Sequence, residues 1–259
     1  MRSSMKSSLL IGVCLFVPVG LMAEDGYSQA VQRGIRLREA PLLDFPIRKS
    51  IHVRTYGAIA GDNKTDTRAI QEAVDDAVAG GVPTVIEFDK GLYRLDVPDG
   101  RTALRIDKAA NLILDGRGCE FLILDPTKQF MAIQQSERII VKDLSIDFEV
   151  LPHTQGWVTA VDREAGTLTV RLDPAYPDLD QPHFRQADYK WGFIKDKNDP
   201  VSFKEGTEYR IYMTEWSRVG TDSYRLRVQL KSQLKTVEVG DPYVQISRVD
   251  GALLSASRS

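Results

Sequence analysis

Four groups of residues have types and spacings that could do chemistry. The first is Gly61-Asp62-Asn63-Lys64-Thr65-Asp66-Thr67, where a glycine, a polar run and a Lys-Thr pair precede a helical pattern. This approaches the phosphate loop G-x-x-x-x-G-K-[ST]. That loop needs a glycine just before the lysine, so that successive N–H groups can surround phosphate oxygens. Asn63 stands there instead, and the preceding Ile51–Ala58 carries His52 and Arg54 where a buried apolar strand is required. Asp62, Lys64 and Asp66 also fail as alternating calcium ligands, because a lysine in the second position brings a cation toward a cation.

The second group is acidic: Asp143, Asp147 and Glu149, with His153 close behind. On one strand, residues two apart share a face, so Asp147 and Glu149 could meet a sugar or a cation together. A solvated strand edge explains the same residues and is the favoured alternative. The third is Asp115, in the polar corner Asp115-Gly116-Arg117-Gly118, where a turn carboxylate bonding local N–H groups is again the favoured reading. The fourth is a set of aromatics, Trp157, Tyr189, Trp191, Tyr209, Tyr212, Trp216 and Tyr224. Their rings could stack on the C–H faces of sugars or fill a small barrel core. Trp191, beside Tyr189 and Lys190, is the leading candidate for an exposed platform.

The elements that must position these residues are legible in part. Ala69, Ile70, Ala73, Val74, Ala77 and Val78 recur at helical spacing, with Arg68, Gln71, Glu72, Asp75 and Asp76 elsewhere around the helix. Thr65 or Asp66 is expected to cap its start, and Gly80-Gly81 to end it in a left-handed turn. "TVIEF" and "LYRL" then read as short strands around the turn Lys90-Gly91. Aligning Ala103–Phe121 with Phe130–Phe148 pairs Leu104 with Met131, Ile106 with Ile133, Leu112 with Ile139, Leu114 with Val141 and Phe121 with Phe148. An offset of about 27 residues suits one turn of a solenoid. An ordinary antiparallel sandwich predicts no such period and leaves the helix unexplained.

From Leu151 the period disappears. Gly156–Pro177 reads as a hairpin turning at Arg163–Gly166, and "KWGFIKD", "EYRIYMTEW", "YRLRVQL" and "VEVGDPYVQIS" read as further strands. The expected fold class is all-β, a parallel solenoid with a capping helix, interrupted by a small antiparallel barrel-like domain.

These motifs carry a resemblance. Tyr56-Gly57-Ala58, Gly61-Asp62, Lys64–Thr67, Ala69-Ile70-Gln71, Ala73, Val85, Phe88, Gly91 and Tyr93 resemble the start of the pectate-lyase-like superfamily of right-handed parallel β-helices. Asn63, where a glycine is common, and a polar segment one residue short depart from that pattern. "LPHTQGWVTAVD", "TLTVRLDPAYP" and "VEVGDPYVQISRVDGALL" are similar to the barrel inserted in bacterial β-helix exo-α-1,3-galactosidases and to its return into the helix. The resemblance implies a glycoside hydrolase working with a carboxylate pair on a polysaccharide or oligosaccharide. A polysaccharide lyase and a noncatalytic glycan-binding or structural module are the alternatives. Two coils are few for a solenoid, so the chain is expected to be a truncated member lacking its later catalytic coils. The catalytic residues remain unassigned, and the candidate substrate-binding residues are Asp115, Asp147, Glu149 and Trp191.

The N-terminus, with Arg2 and Lys6 before an apolar run from Leu9 to Met22 and the small Ala23, reads as a secretory signal peptide. The expected organisation is a signal at 1–23, a lead-in at 24–50, cap and first coils at 51–150, the inserted domain at 151–248 and a return to the helix at 249–259. A secreted or periplasmic location follows, with no membrane attachment after cleavage. Net charge −2 offers no electrostatic reason to bind nucleic acid. Cleavage would leave Cys119 as the sole cysteine, and the three histidines are far apart; neither a disulfide nor a metal site is expected, and no cofactor.

Overall fold

The computed structural model describes residues 45–97, 100–187, 189–199, 202–247 and 254–257. The expected signal peptide, most of the lead-in, and much of the segment beyond 247 lie outside the described residues. The chain is mostly β, and it divides into two units.

The first unit comprises the described residues up to Ile123, then Gln129–Asp147 and the strand Leu254–Ser257. Its strands are β1 (Lys49–His52), β2 (Thr84–Glu87), β3 (Leu92–Leu95), β4 (Thr102–Asp107), β5 (Ala110–Ile123), β6 (Gln129–Gln134), β7 (Glu137–Phe148) and β14 (Leu254–Ser257). Both β2 and β3 run parallel to β5, partnering Thr84 with Leu112 and Leu92 with Glu120. Similarly, β4 runs parallel to β6, with Leu104 opposite Met131 and Ile106 opposite Ile133. Two of the sequence-aligned pairs are thus direct ladder partners at the 27-residue step. After the second unit, β14 resumes parallel pairing with β6.

One strand, β5, serves both β2 and β3 because it turns a corner. Burial alternates through Leu112, Leu114 and Gly116, breaks at exposed Arg117 and Gly118, and resumes one residue out of phase at Cys119, Phe121 and Ile123. Arg117 and Gly118 both have positive φ (51° and 80°), which lets the chain bend while both arms keep their apolar side chains inward. At this corner the neighbouring strand comes close: a Cβ on Gly116 would lie 2.5 Å from Asp143 O and 2.6 Å from Leu144 Cβ. The interior is a ring stack of Phe88, Tyr93, Phe121 and Phe130, with Phe121 5.3 Å, 5.8 Å and 5.0 Å from the other three.

Helix α1 (Thr67–Gly80) buries Ile70, Ala73, Val74 and Ala77 and packs on β4 and β2. It ends as expected, at Gly81 with φ 61°. Its start differs from expectation. Asp66 occupies the cap position without a capping bond; its carboxylate accepts from Ile59 N at 3.0 Å and Arg94 N at 3.2 Å. The carboxylate joins the polar loop to β3, a longer-range use than capping. Burial raises the Asp66 carboxyl above its ordinary value, against the pull of these two N–H donors.

The second unit comprises Leu124–Lys128 and Phe148–Leu253. Its strands are β8 (His153–Asp162), β9 (Thr167–Leu172), β10 (Trp191–Ile194), β11 (Ile211–Arg218), β12 (Ser223–Val228) and β13 (Pro242–Ile246). They close into a six-stranded antiparallel barrel in the order β10-β11-β12-β9-β8-β13. Val158, Val170, Ile194, Tyr224, Leu226 and Tyr243 are among the side chains filling its interior. Closure brings strands close at two glycines. A Cβ on Gly156 would lie 2.7 Å from Leu172 Cα, and one on Gly192 would lie 2.6 Å from Val244 O. A short helix, α2 (Pro182–Arg185), precedes β10.

Among the described residues, no helix is long and apolar enough to cross a membrane.

Candidate functional site

The acidic candidates separate. Asp115 lies on β5 opposite Glu87 of β2. Its carboxylate meets Lys142 Nζ at 3.0 Å and accepts from Arg117 N at 3.3 Å, while Arg117 pairs with Glu87. The Asp115 hydrogen bond, the largest influence, raises the Lys142 ammonium above its ordinary value. Asp115 therefore ties the corner of β5 to β7, as the turn reading anticipated. Asp147 is an exposed residue on β7. Glu149 does not share its strand face, because β7 ends at Phe148 and the chain bends into the second unit. His153 heads β8 half-buried, its ring 5.6 Å from Tyr176; burial, then Lys195, lowers its pKa.

A second carboxylate pair, unremarked in the sequence, lies on the barrel. Asp178 and Asp180 both accept from the Tyr224 hydroxyl, Arg218 bridges both, and Arg185 pairs with Asp180. Burial opposes ionisation, yet Tyr224 and Arg218 hold both carboxyls below their usual range, with Arg185 adding to this at Asp180. Such acids are poorly matched to protonating a leaving group. They fasten the segment ahead of α2 to β11 and β12.

The aromatic candidates divide by environment. Tyr224 is fully buried, and Trp216 is 5% exposed with its indole N–H donating to Leu179 O at 3.2 Å. Trp191 is also only 5% exposed. Its expected role as an open platform is therefore corrected. In β10, the inward positions are Gly192, against Tyr243, and Ile194 in the core. Trp191 and Phe193 thus share the outer face, and chain from other segments packs over them.

What covers Trp191 is itself aromatic and open. Tyr209 is 6.4 Å from Trp191 and 4.8 Å from Phe203; Phe203 is 5.0 Å from Phe193; Phe193 is 6.2 Å from Trp191. Tyr209 is 58% exposed and Phe203 39%. The Arg210 guanidinium lies 4.8 Å from the Trp191 ring and 5.7 Å from the Tyr209 ring. The Trp191 Nε1 is buried without a hydrogen-bond acceptor among the described residues. Four rings and a cation thus form one patch, its inner pair held by β10 and its outer pair presented to solvent.

Phe193, Phe203 and Arg210 were not anticipated. One usable signal was strand alternation in Trp191-Gly192-Phe193; another was Phe203, a lone large apolar residue in polar surroundings.

Among the described residues, no group of three His, Cys, Asp or Glu is placed to hold a metal ion. Cys119 is buried, and burial pushes its thiol up to about 12, which makes it a poor nucleophile at neutral pH.

The chain matches no protein-family model and no curated protein. The β-helix resemblance rests on the residues that suggested it.

Proposed function

We propose that this chain is an exported carbohydrate-binding protein, built on the first coils of a right-handed parallel β-helix with an inserted antiparallel barrel. The barrel patch holds a sugar ring of a polysaccharide or oligosaccharide. Parallel ladders at a 27-residue step, and the return of β14 to β6, support the β-helix reading.

The observation that carries the function is the pair of open rings, Tyr209 and Phe203, backed by Trp191 and Phe193. A monomeric protein gains nothing in folding from leaving such rings in water. A sugar's apolar C–H face can cover them, while its hydroxyl groups stay solvated. Rings backed by other rings lose little conformational freedom when they bind.

Hydrolysis, which the resemblance implies, would need two carboxylates facing one sugar at roughly 5 to 9.5 Å. Asp115 is engaged by Lys142, and Glu149 has left the strand of Asp147. Binding without turnover is the reading these acids favour.

The test is calorimetric titration of the whole chain with neutral and acidic oligosaccharides, repeated with a Tyr209→Ala/Phe203→Ala variant. Binding by the native protein that weakens about tenfold or more in the variant is expected, the size of one to two ring contacts. Binding that the variant leaves intact, or none with any sugar, overturns the proposal. Release of reducing ends by the native protein would instead favour the hydrolase.

A further inference from the structure

We infer that the sugar held at the barrel patch carries an anionic group, a carboxylate or a sulfate, and that Arg210 recognises it. This rests on the glycan-binding reading and adds the chemistry of the ligand.

Arg210 is exposed and sits over two rings of the patch. No carboxylate among the described residues pairs with it, whereas Arg185 and Arg218 of the same barrel are both tied to Asp178 or Asp180. Contact with the two rings restrains the guanidinium, and with no carboxylate partner its N–H groups are available for bidentate recognition of a carboxylate or a sulfate. A cation held at open aromatic rings favours a ligand that brings negative charge to an apolar ring face. A neutral sugar would use the rings and leave the guanidinium unanswered.

The experiment uses the full chain and three probes of matched length: a hexuronate oligosaccharide, a sulfated galacto-oligosaccharide and its neutral counterpart. Calorimetry at low and at high salt gives the affinities. One charged probe is expected to bind about tenfold or more tightly than the neutral one, the effect of a single charge-assisted hydrogen bond. Which charged probe wins distinguishes carboxylate from sulfate. High salt should narrow the preference, and Arg210→Gln should reduce the ratio to within about twofold, with Arg210→Lys between.

Equal affinity for charged and neutral probes overturns this inference while leaving glycan binding standing. So does a preference that survives Arg210→Gln. Absence of binding to all three sinks both readings. If a variant fails to fold, the native protein's preference and its salt dependence still decide.

Discussion

Replacing Phe121 by alanine tests how the first unit is held together. The side chain is fully buried and touches Phe88, Tyr93 and Phe130 at ring separations of 5.0 to 5.8 Å. Truncating a buried phenylalanine costs about 3–5 kcal/mol, from lost transfer free energy and the cavity left behind. Three ring pairs, each contributing about 0.5–1.5 kcal/mol beyond area burial, put Phe121 at the upper end of that range. All three tryptophans, at 157, 191 and 216, lie in the barrel unit, so their fluorescence does not report this change directly. Amide hydrogen exchange, read peptide by peptide, does. Protection in peptides covering β2, β3 and β5 should fall by about three decades or slightly more, since each 1.4 kcal/mol is about a factor of ten. Phe203→Ala, at a ring 39% exposed with two ring partners, should cost the barrel about 1–2 kcal/mol, well below the cost at Phe121. A loss below about 1 kcal/mol for Phe121→Ala would refute its place at the centre of the stack.

Three further outcomes follow from particular contacts. Gly192→Ala should destabilise the barrel by about 1–3 kcal/mol, because its Cβ would meet Val244 O at 2.6 Å and Tyr243 Cζ at 2.7 Å; a tryptophan-fluorescence melt unchanged from native would count against this. Asp66→Ala should cost about 1–3 kcal/mol by leaving the N–H groups of Ile59 and Arg94 without their acceptor, read as lost exchange protection in β3 and the first turn of α1. His183 is 8% exposed with its ring 4.3 Å from Phe184, and burial lowers its pKa below the ordinary 6.5, outweighing the Leu151 carbonyl and Asp125. Its neutral form is favoured on folding, so this contribution is present above pH 6.5 and is lost as pH falls through the folded pKa. The fluorescence melting temperature should therefore fall less on acidification in His183→Asn than in the native protein, and equal slopes would contradict the assignment.

The parts of the fold that were legible are those governed by local spacing. The apolar residues of α1 show in the sequence because a helix repeats every 3.6 residues whatever surrounds it. The 27-residue step shows because ladder partners such as Leu104 and Met131 occupy equivalent positions on successive turns. Asp66 was misjudged because its acceptors are used by Ile59 and by Arg94, 28 residues away, and no local pattern reports that. The neighbours Tyr189 and Lys190 suggest an exposed Trp191, and alternation gives it the outer face, but neither reports what covers it. Phe193 shares its strand, and Phe203, Tyr209 and Arg210 come back onto it from the connection between β10 and β11, a return that no local spacing reports. Asp147 and Glu149 have strand spacing, yet the strand ends between them.

The central claim, that sugar is held on the barrel patch, is tested most directly at the three indole N–H groups. Their resonances in a heteronuclear NMR spectrum are assignable by single Trp→Phe substitutions. The Trp191 N–H is without an acceptor among the described residues, whereas that of Trp216 donates to Leu179 O. On titration with the tightest-binding oligosaccharide, the predicted result is a saturable shift of the Trp191 resonance, with Trp216 unmoved. Saturable binding that leaves Trp191 unmoved would contradict the proposal.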